Sequence, residues 1–374
     1  MRAERPDRGL FEELGRRSGR DLISAFIPTH EKGREVAQDP IQLKNQLSDV
    51  EDTLAGLGYK PRERDDRLAQ ARSLLDDREF WEHQRNGLAM FVDEDGSVVM
   101  VSSAKPLGPW FVVMPVFMLR PLVAEFHALP ALVLALTRDT AALFSANGPD
   151  VEVIDLDLPS YEDVNWFVDR EPQRQQHPDQ VGMERNRHGH EPSSRADEDA
   201  ARYLRAVDAR LKGFGSDIPL IVLGDDDLVS RFTSLSEHAT VNPPNSGISA
   251  PLTVDEVRRM VKGPLEKLEE ERVGVARSEA IDRLGEGQAT AQIGQALPAA
   301  ISGRVESIVI ERETPPIWGR LDLSTHEIDT HEEHQPGDTD LLDRLVVWAR
   351  DAGASVTPSE TPIDGRPFIA TFRY

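Results

Sequence analysis

Short apolar runs closed by turn residues alternate along this chain with stretches whose apolar residues recur every three or four positions. This alternation constrains the fold more than any other feature, because the two periods belong to buried strands and to amphipathic helices. The run Leu22-Ile23-Ser24-Ala25-Phe26-Ile27-Pro28 predicts a buried strand ended by proline. Leu43, Leu47, Val50, Leu54 and Leu57 then fall on one helical face, and Gly58 stops that helix. A charged helix is expected over 62–80. Strand-like runs follow at 87–92, 97–102 and 110–117, the first two joined by the turn Asp93-Glu94-Asp95-Gly96. Residues 1–130 therefore read as an α+β domain.

The next segment, 131–245, opens with runs at 131–137, 141–146 and 151–156, the last two joined by Asn147-Gly148-Pro149-Asp150. A helix over 196–212 carries Ala200, Leu204, Val207 and Leu211. A buried strand at 219–223 and a short helix at 228–235 complete a mixed sheet with helices packed on it. Asn242-Pro243-Pro244-Asn245-Ser246-Gly247 is a turn-rich boundary. Beyond it, in 250–374, Thr253-Val254-Asp255-Glu256 reads as a capping box. Its helix carries Val254, Val257, Val261, Leu265 and Leu268. A separate helix running to Leu284 and another over 289–302 follow. Strands at 305–310, 355–358 and 368–372 with a helix over 341–352 make this third segment an α/β/α sandwich.

Composition narrows the function classes. A chain of 374 residues has the length of two or three domains. Its charged share of 29% and apolar share of 39% are those of a globular protein. The absence of cysteine removes disulfides, thiolate metal sites and cysteine nucleophiles. Residues 1–20 are charged rather than apolar, so no secretory signal is read there. The most hydrophobic stretch, 110–136, is broken by Arg120, Pro121, Glu125, His127 and Pro130, which argues for strands and not a membrane span. A cytoplasmic protein that binds no membrane is expected. The net charge of -23 disfavours non-specific binding to duplex nucleic acid.

The most unusual segment is 165–200, which is polar after Trp166-Phe167-Val168 and too long for an ordinary loop. It reads either as a contact loop or as a disordered insertion. His188-Gly189-His190 with His177 does not supply the converging ligands that a metal needs. The polar cluster His326, Glu327, Asp329, His331, Glu332, Glu333 and His334 lacks zincin spacing and reads as a solvated acidic loop. Asp225-Asp226-Asp227 follows a strand, where acids can hold Mg²⁺, but an N-cap is the simpler account. Gly285-Glu286-Gly287-Gln288 reads as a turn between helices. No nucleophile elbow, kinase set or dinucleotide fingerprint is present, so no catalytic residue, metal or cofactor is assigned.

Several landmarks fall in a telling order. Ile23–His30 reads Ile-Ser-Ala-Phe-Ile-Pro-Thr-His, and Thr137-Arg138-Asp139-Thr140-Ala141-Ala142-Leu143-Phe144 follows. Then come Leu284-Gly285-Glu286-Gly287-Gln288-Ala289-Thr290, Val305–Ile310, Asp351–Val356 and the ending Phe368-Ile369-Ala370-Thr371-Phe372-Arg373-Tyr374. Together they resemble the bacterial branch of the archaeo-eukaryotic peptide-chain release factor superfamily, relatives of class 1 release factors and Pelota. The resemblance implies an N-terminal α+β domain and a ribonuclease-H-like mixed-sheet middle domain. It also implies a C-terminal α/β/α domain like the kink-turn-binding ribosomal protein fold. In such release factors a Gly-Gly-Gln loop of the middle domain orients water for peptidyl-tRNA hydrolysis. This sequence contains no Gly-Gly-Gln, and 165–200 stands where that loop would be.

The resemblance therefore implies a ribosome-binding protein without hydrolysis, acting in rescue or hibernation, with ribosomal RNA, tRNA or ribosomal proteins as partners. Arg185, Arg187 and Arg195 would meet phosphates, His188 and His190 would stack on or hydrogen-bond with bases, and Arg202 and Arg205 would extend the basic edge. The alternatives are a metal-dependent nuclease or phosphoesterase using Asp225–Asp227, or an acidic module that binds basic proteins.

Overall fold

Asp7 accepts the backbone N–H of Leu10 at 2.7 Å, and this cap starts a helix that the spacing analysis missed, α1 (Arg8–Arg16). It buries Leu10, Phe11 and Leu14. In this computed structural model the described residues are 3–126, 130–148, 150–165, 192–215, 218–238, 240–241, 247–248, 250–325 and 327–374. They form a mixed α/β protein with several sheets, as expected from the sequence. Contacts divide it into two compact units, Met1–Ala128 with Glu271–Tyr374, and Leu129–Glu270.

The first unit begins, after α1, with β1 (Ser18–Pro28), α2 (Asp39–Gly56) and α3 (Pro61–Ser73). The helix expected over 62–80 breaks at Ser73, because Asp77 caps a separate short helix, α4 (Arg78–Trp81), through the Phe80 N–H at 3.0 Å. Next come β2 (Gly87–Val92), β3 (Val98–Ser103), β4 (Trp110–Val116) and α5 (Val123–Phe126). The sheet order is β3-β2-β1-β4, antiparallel throughout, with β4 on an edge. Leu22–Ile27 are all buried because both faces of β1 are covered. Ile23, Ala25 and Ile27 meet Leu43, Leu47, Val50 and Leu54 of α2.

The second unit holds β5 (Pro130–Leu136), β6 (Ala141–Asn147), β7 (Asp150–Ile154), α6 (Tyr161–Asn165) and α7 (Pro192–Leu211). It continues with β8 (Leu220–Leu223), α8 (Asp226–Leu235) and β9 (Thr240–Val241). Its sheet runs β7-β6-β5-β8-β9, with β7, β6 and β5 antiparallel in turn, β8 parallel to β5 and β9 parallel to β8. Leu132, Leu134 and Val222 face α7 and α8, whereas Val133, Phe144 and Ile221 face Val257 and Val261 of the next helix.

That helix, α9 (Val254–Gly285), is one 32-residue element where the sequence reading separates two. Pro264 lies inside it without ending it. Tertiary packing decides the matter: Val257 and Val261 pack in the second unit, while Ala276, Ala280 and Leu284 pack in the first. The Thr253–Glu256 capping box is formed, with the Thr253 hydroxyl 2.7 Å from the Glu256 carboxylate. Gly285–Gln288 is a helix-to-strand turn rather than an interhelical one. Gly287 has φ +75° there, and β10 (Ala289–Thr290) follows directly.

The first unit resumes with α10 (Ile293–Ile301), β11 (Val305–Glu311), β12 (Trp318–Leu321), β13 (Ile328–His331) and β14 (Thr339–Asp340). It ends with α11 (Leu341–Asp351), β15 (Ser355–Ser359) and β16 (Phe368–Phe372). The sheet β10-β16-β11-β15 packs α10 and α11 against one face and the second half of α9 against the other. Leu297, Leu341 and Leu345 of those two helices share one core with Leu22, Phe26, Phe91 and Met114 from the N-terminal sheet.

A buried charge network crosses this core. Arg120 Nε lies 3.0 Å from Asp340 Oδ2, and its Nη1 donates to the Thr314 carbonyl at 2.8 Å. Asp343 Oδ1 accepts the backbone N–H groups of Leu119 and Arg120, each at 2.6 Å. Arg344 donates to the Phe117 carbonyl at 2.9 Å. All four side chains are at least 95% buried. Burial pushes the Asp340 carboxyl above its ordinary value, against the pull of Arg120.

Candidate nucleic-acid interface

The basic segment expected to touch RNA is bounded by α6 and α7. Ser160 and Asp163 start α6 with a reciprocal cap: Ser160 N–H donates to Asp163 Oδ2 at 2.9 Å, and Asp163 N–H to Ser160 Oγ at 3.1 Å. The Ser160 hydroxyl, which donates to Asp163 Oδ2 at 2.7 Å, and then the Ser160 N–H hold the Asp163 carboxyl below its ordinary value. The landmark at 137–140 forms a turn in which Thr140 N–H donates to Thr137 Oγ1 at 2.9 Å. Asp139 of that turn accepts the Tyr161 N–H at 2.9 Å through its carbonyl. The Tyr161 ring meets Tyr203 of α7 edge-on, with centroids 6.1 Å apart.

Helix α7 buries Tyr203, Leu204, Val207 and Leu211, which fall on one face at helical spacing. Its outer face carries Arg202 and Arg205, both exposed. Arg202 shares its charge with Asp199 at 3.2 Å. Position 195 stands two turns before 202 on the same helix. The helix expected from 196 thus begins at 192, within the stretch read from the sequence as polar loop. Arg185, Arg187, His188 and His190 lie outside the described residues. So of the seven candidate residues the structure brings Arg195, Arg202 and Arg205 onto one helix.

The acids at 225–227 do structural work. Asp225 caps α8 by accepting the Asp227 N–H at 3.1 Å. Asp227 pairs with Arg231 at 2.8 Å, and Arg231 reaches Asp197 of α7 at 2.9 Å. Hydrogen bonds to Asp227 and then Asp197 raise the Arg231 guanidinium above its ordinary value. No group of three His, Asp or Glu side chains converges as a metal site among the described residues.

Of the cluster, Glu332, Glu333 and His334 are exposed in a loop segment and His326 lies outside the described residues, while Ile328–His331 is strand β13. That strand forms the β12–β13 hairpin, with β14 on the far side of β12. Its anchor is the buried Asp338, which takes His331 Nδ1 at 2.8 Å, the Gln335 N–H at 3.0 Å and Arg320 Nε at 3.1 Å. Burial opposes the Asp338 charge, but these donors outweigh it and hold the carboxyl below its ordinary value. Sequence reasoning also passed over Tyr203. Its hydroxyl is buried and accepts no partner among the described residues, and burial, then Asp139, push its pKa upward. No helix among the described residues is long and apolar enough to cross a membrane.

Residues 131–304 match the family described as bacterial archaeo-eukaryotic release factor family 3. No curated protein matches in sequence. Among solved structures, the archaeal translation termination factor aRF1 is 16% identical, with 98% of this chain and 96% of that one covered and a TM-score of 0.24. Pelota from Archaeoglobus fulgidus is 12% identical over 77% and 79%, with a TM-score of 0.33. An archaeal Pelota from a model of ribosome-bound Pelota and ABCE1 is 9% identical over 100% and 95%, with a TM-score of 0.42. The similarity to this release factor family thus covers residues 131–304, just under half of the chain.

Proposed function

We propose that this chain is a release-factor-like ribosome-binding protein that does not hydrolyse peptidyl-tRNA and acts in ribosome rescue or hibernation. The observation that carries the reading is a release-factor family match over 131–304 in a sequence without Gly-Gly-Gln. Two glycines let a backbone approach RNA closely, and a chain lacking them at the loop tip has no comparable water-orienting device. The order β7-β6-β5-β8-β9, an antiparallel meander followed by two strands parallel to its first, supports a ribonuclease-H-like middle domain. Helices on both faces of β10-β16-β11-β15 support the kink-turn-binding relationship of the last segment.

In this proposal the segment leading into α7 reaches the peptidyl-transferase centre or a tRNA acceptor end. Arg185, Arg187, Arg195, Arg202 and Arg205 contact phosphates, and His188 and His190 stack on bases. Concentrating cations on this one edge offsets the repulsion that a net charge of -23 imposes on RNA binding. The test is sedimentation with 70S particles in ~0.1 M salt, paired with a peptidyl-tRNA hydrolysis assay. The full chain is expected to travel with ribosomes, and deletion of 170–190 to reduce that fraction. Hydrolysis should not exceed the background rate. A full chain that stays at the top of the gradient removes ribosome binding, and measurable hydrolysis removes the non-catalytic reading.

A further inference from the structure

His30, two residues beyond β1, is bound twice by one carboxylate. Asp39 Oδ2 accepts its backbone N–H at 3.0 Å, and Asp39 Oδ1 lies 2.7 Å from its ring Nδ1. Asp39 is the first residue of α2 and has no exposed surface, whereas the His30 ring is 43% exposed. A carboxylate only accepts hydrogen bonds, so the ring carries its proton on Nδ1 and keeps a lone pair on Nε2. That second nitrogen has no partner among the described residues. His30 ends the landmark Ile23–His30, and neither it nor Asp39 enters the proposed ribosome contact.

The two bonds to Asp39 close a loop over residues 31–38, which keeps the loop near the ring. Lys32 and Arg34 stand two and four residues beyond His30, both exposed and without a partner among the described residues. Gly33 between them has φ +107°, and a Cβ there would meet Glu35 Oε2 at 2.6 Å, so the turn requires glycine. With Glu31 and Glu35, the loop holds two cations and two carboxylates. In a chain of net charge -23, an anion can approach His30 here without a locally repulsive loop.

We propose that His30 is a phosphoryl acceptor, modified on Nε2 by a small phosphoramidate or acyl phosphate. Nε2 attacks phosphorus and an N–P bond forms. The bond from phosphorus to the donor's nitrogen or acyl oxygen breaks, and ammonia or a carboxylate leaves with that electron pair. Nδ1 keeps its proton, so the ring becomes a cation as the new bond forms. The buried Asp39 carboxylate holds the ring in place and stabilises that charge. Lys32 and Arg34 meet the phosphoryl oxygens. The modification does not depend on ribosome binding.

The test incubates the full chain with potassium phosphoramidate and follows each site by peptide mapping in alkaline solution, where phosphohistidine survives. His83 is the internal control. It is exposed and its Nδ1 lies 2.8 Å from the Glu79 carbonyl, so it offers the same open Nε2 without a carboxylate behind it. His30 should be modified at least tenfold faster than His83. Asp39→Asn, compared where its circular dichroism matches the parent's, should remove that advantage and leave the His83 rate unchanged. Lys32→Gln with Arg34→Gln should slow phosphorylation of His30 at least threefold and leave its reaction with uncharged diethyl pyrocarbonate unchanged. Equal rates at His30 and His83 in the parent chain overturn the proposal without recourse to any variant. Undiminished phosphorylation in Asp39→Asn overturns the part given to the carboxylate. An unchanged rate in the double variant, or equal slowing with both reagents, overturns the part given to the loop cations.

Discussion

Replacing Arg120 with methionine removes the cation from the buried network while keeping much of its bulk. Arg120 Nε and Asp340 Oδ2 are 3.0 Å apart. With an effective dielectric of about 20, that separation corresponds to an attraction of about 5–6 kcal/mol. Part of it is already offset by the cost of taking both ions out of water. Breaking one partner of a buried pair costs about 3–5 kcal/mol, because the remaining charge stays buried. Arg120→Met should therefore destabilise the first unit by about 3–5 kcal/mol. Adding Asp340→Asn should recover about 1–2 kcal/mol, since the neutral amide still accepts from Leu342 N–H at the helix start. The pH dependence has a definite sign. Burial raises the folded-state pKa of Asp340, so its protonated form favours folding and stability falls as pH rises through that raised value. Without Arg120 the value climbs further. The penalty of Arg120→Met should be small below the ordinary carboxyl value of 3.8 and grow as pH rises above it. Urea unfolding followed by fluorescence reads this, because Trp81, Trp110, Trp318 and Trp348 all belong to the first unit. A single variant within about 1 kcal/mol of the parent at pH 7, or a double variant no more stable than the single, would refute the reasoning.

Tyr203→Phe removes a buried hydroxyl that has no partner among the described residues, so the second unit should keep or gain stability by up to about 1 kcal/mol in thermal unfolding; a loss above that would show the hydroxyl is bonded. Thr253→Ala breaks the capping box of α9 and should cost about 1 kcal/mol, whereas Thr253→Ser should cost little; equal effects would remove the cap from the account. The depressed pKa of Asp338 contributes stability that is present above the ordinary carboxyl value of 3.8 and is lost as pH falls through the lower folded value. Asp338→Asn should flatten the acid limb of an unfolding-versus-pH curve, and an unchanged limb would count against the His331–Asp338–Arg320 anchor.

Elements whose apolar period is carried by several residues were readable from the chain alone. The strands at 87–92 and 141–147 and the helix face Leu43, Leu47, Val50 and Leu54 are examples. Elements held mainly by polar anchors were not. β12 and β13 offer little apolar signal, and they depend on Asp338, a residue with no local motif and a buried position that only tertiary structure creates. α1 was hidden among arginines and glutamates because only three of its residues reach the core. The candidate interface was legible as composition, an excess of Arg and His in one polar stretch. Its ion pairs were not, because Arg231 finds Asp197 across two helices rather than along one.

The first unit draws its shared core from both ends of the chain, with α11 covering hydrophobic side chains supplied by β1 and β4. During synthesis, more than two hundred residues must leave the ribosome between β4 and α11. Leu129–Glu270 can collapse in that interval, while Leu22, Phe91 and Met114 wait without their cover. A nascent chain stalled before Leu341 would thus present an oily sheet to solvent, and its fate would rest with chaperones until translation resumed.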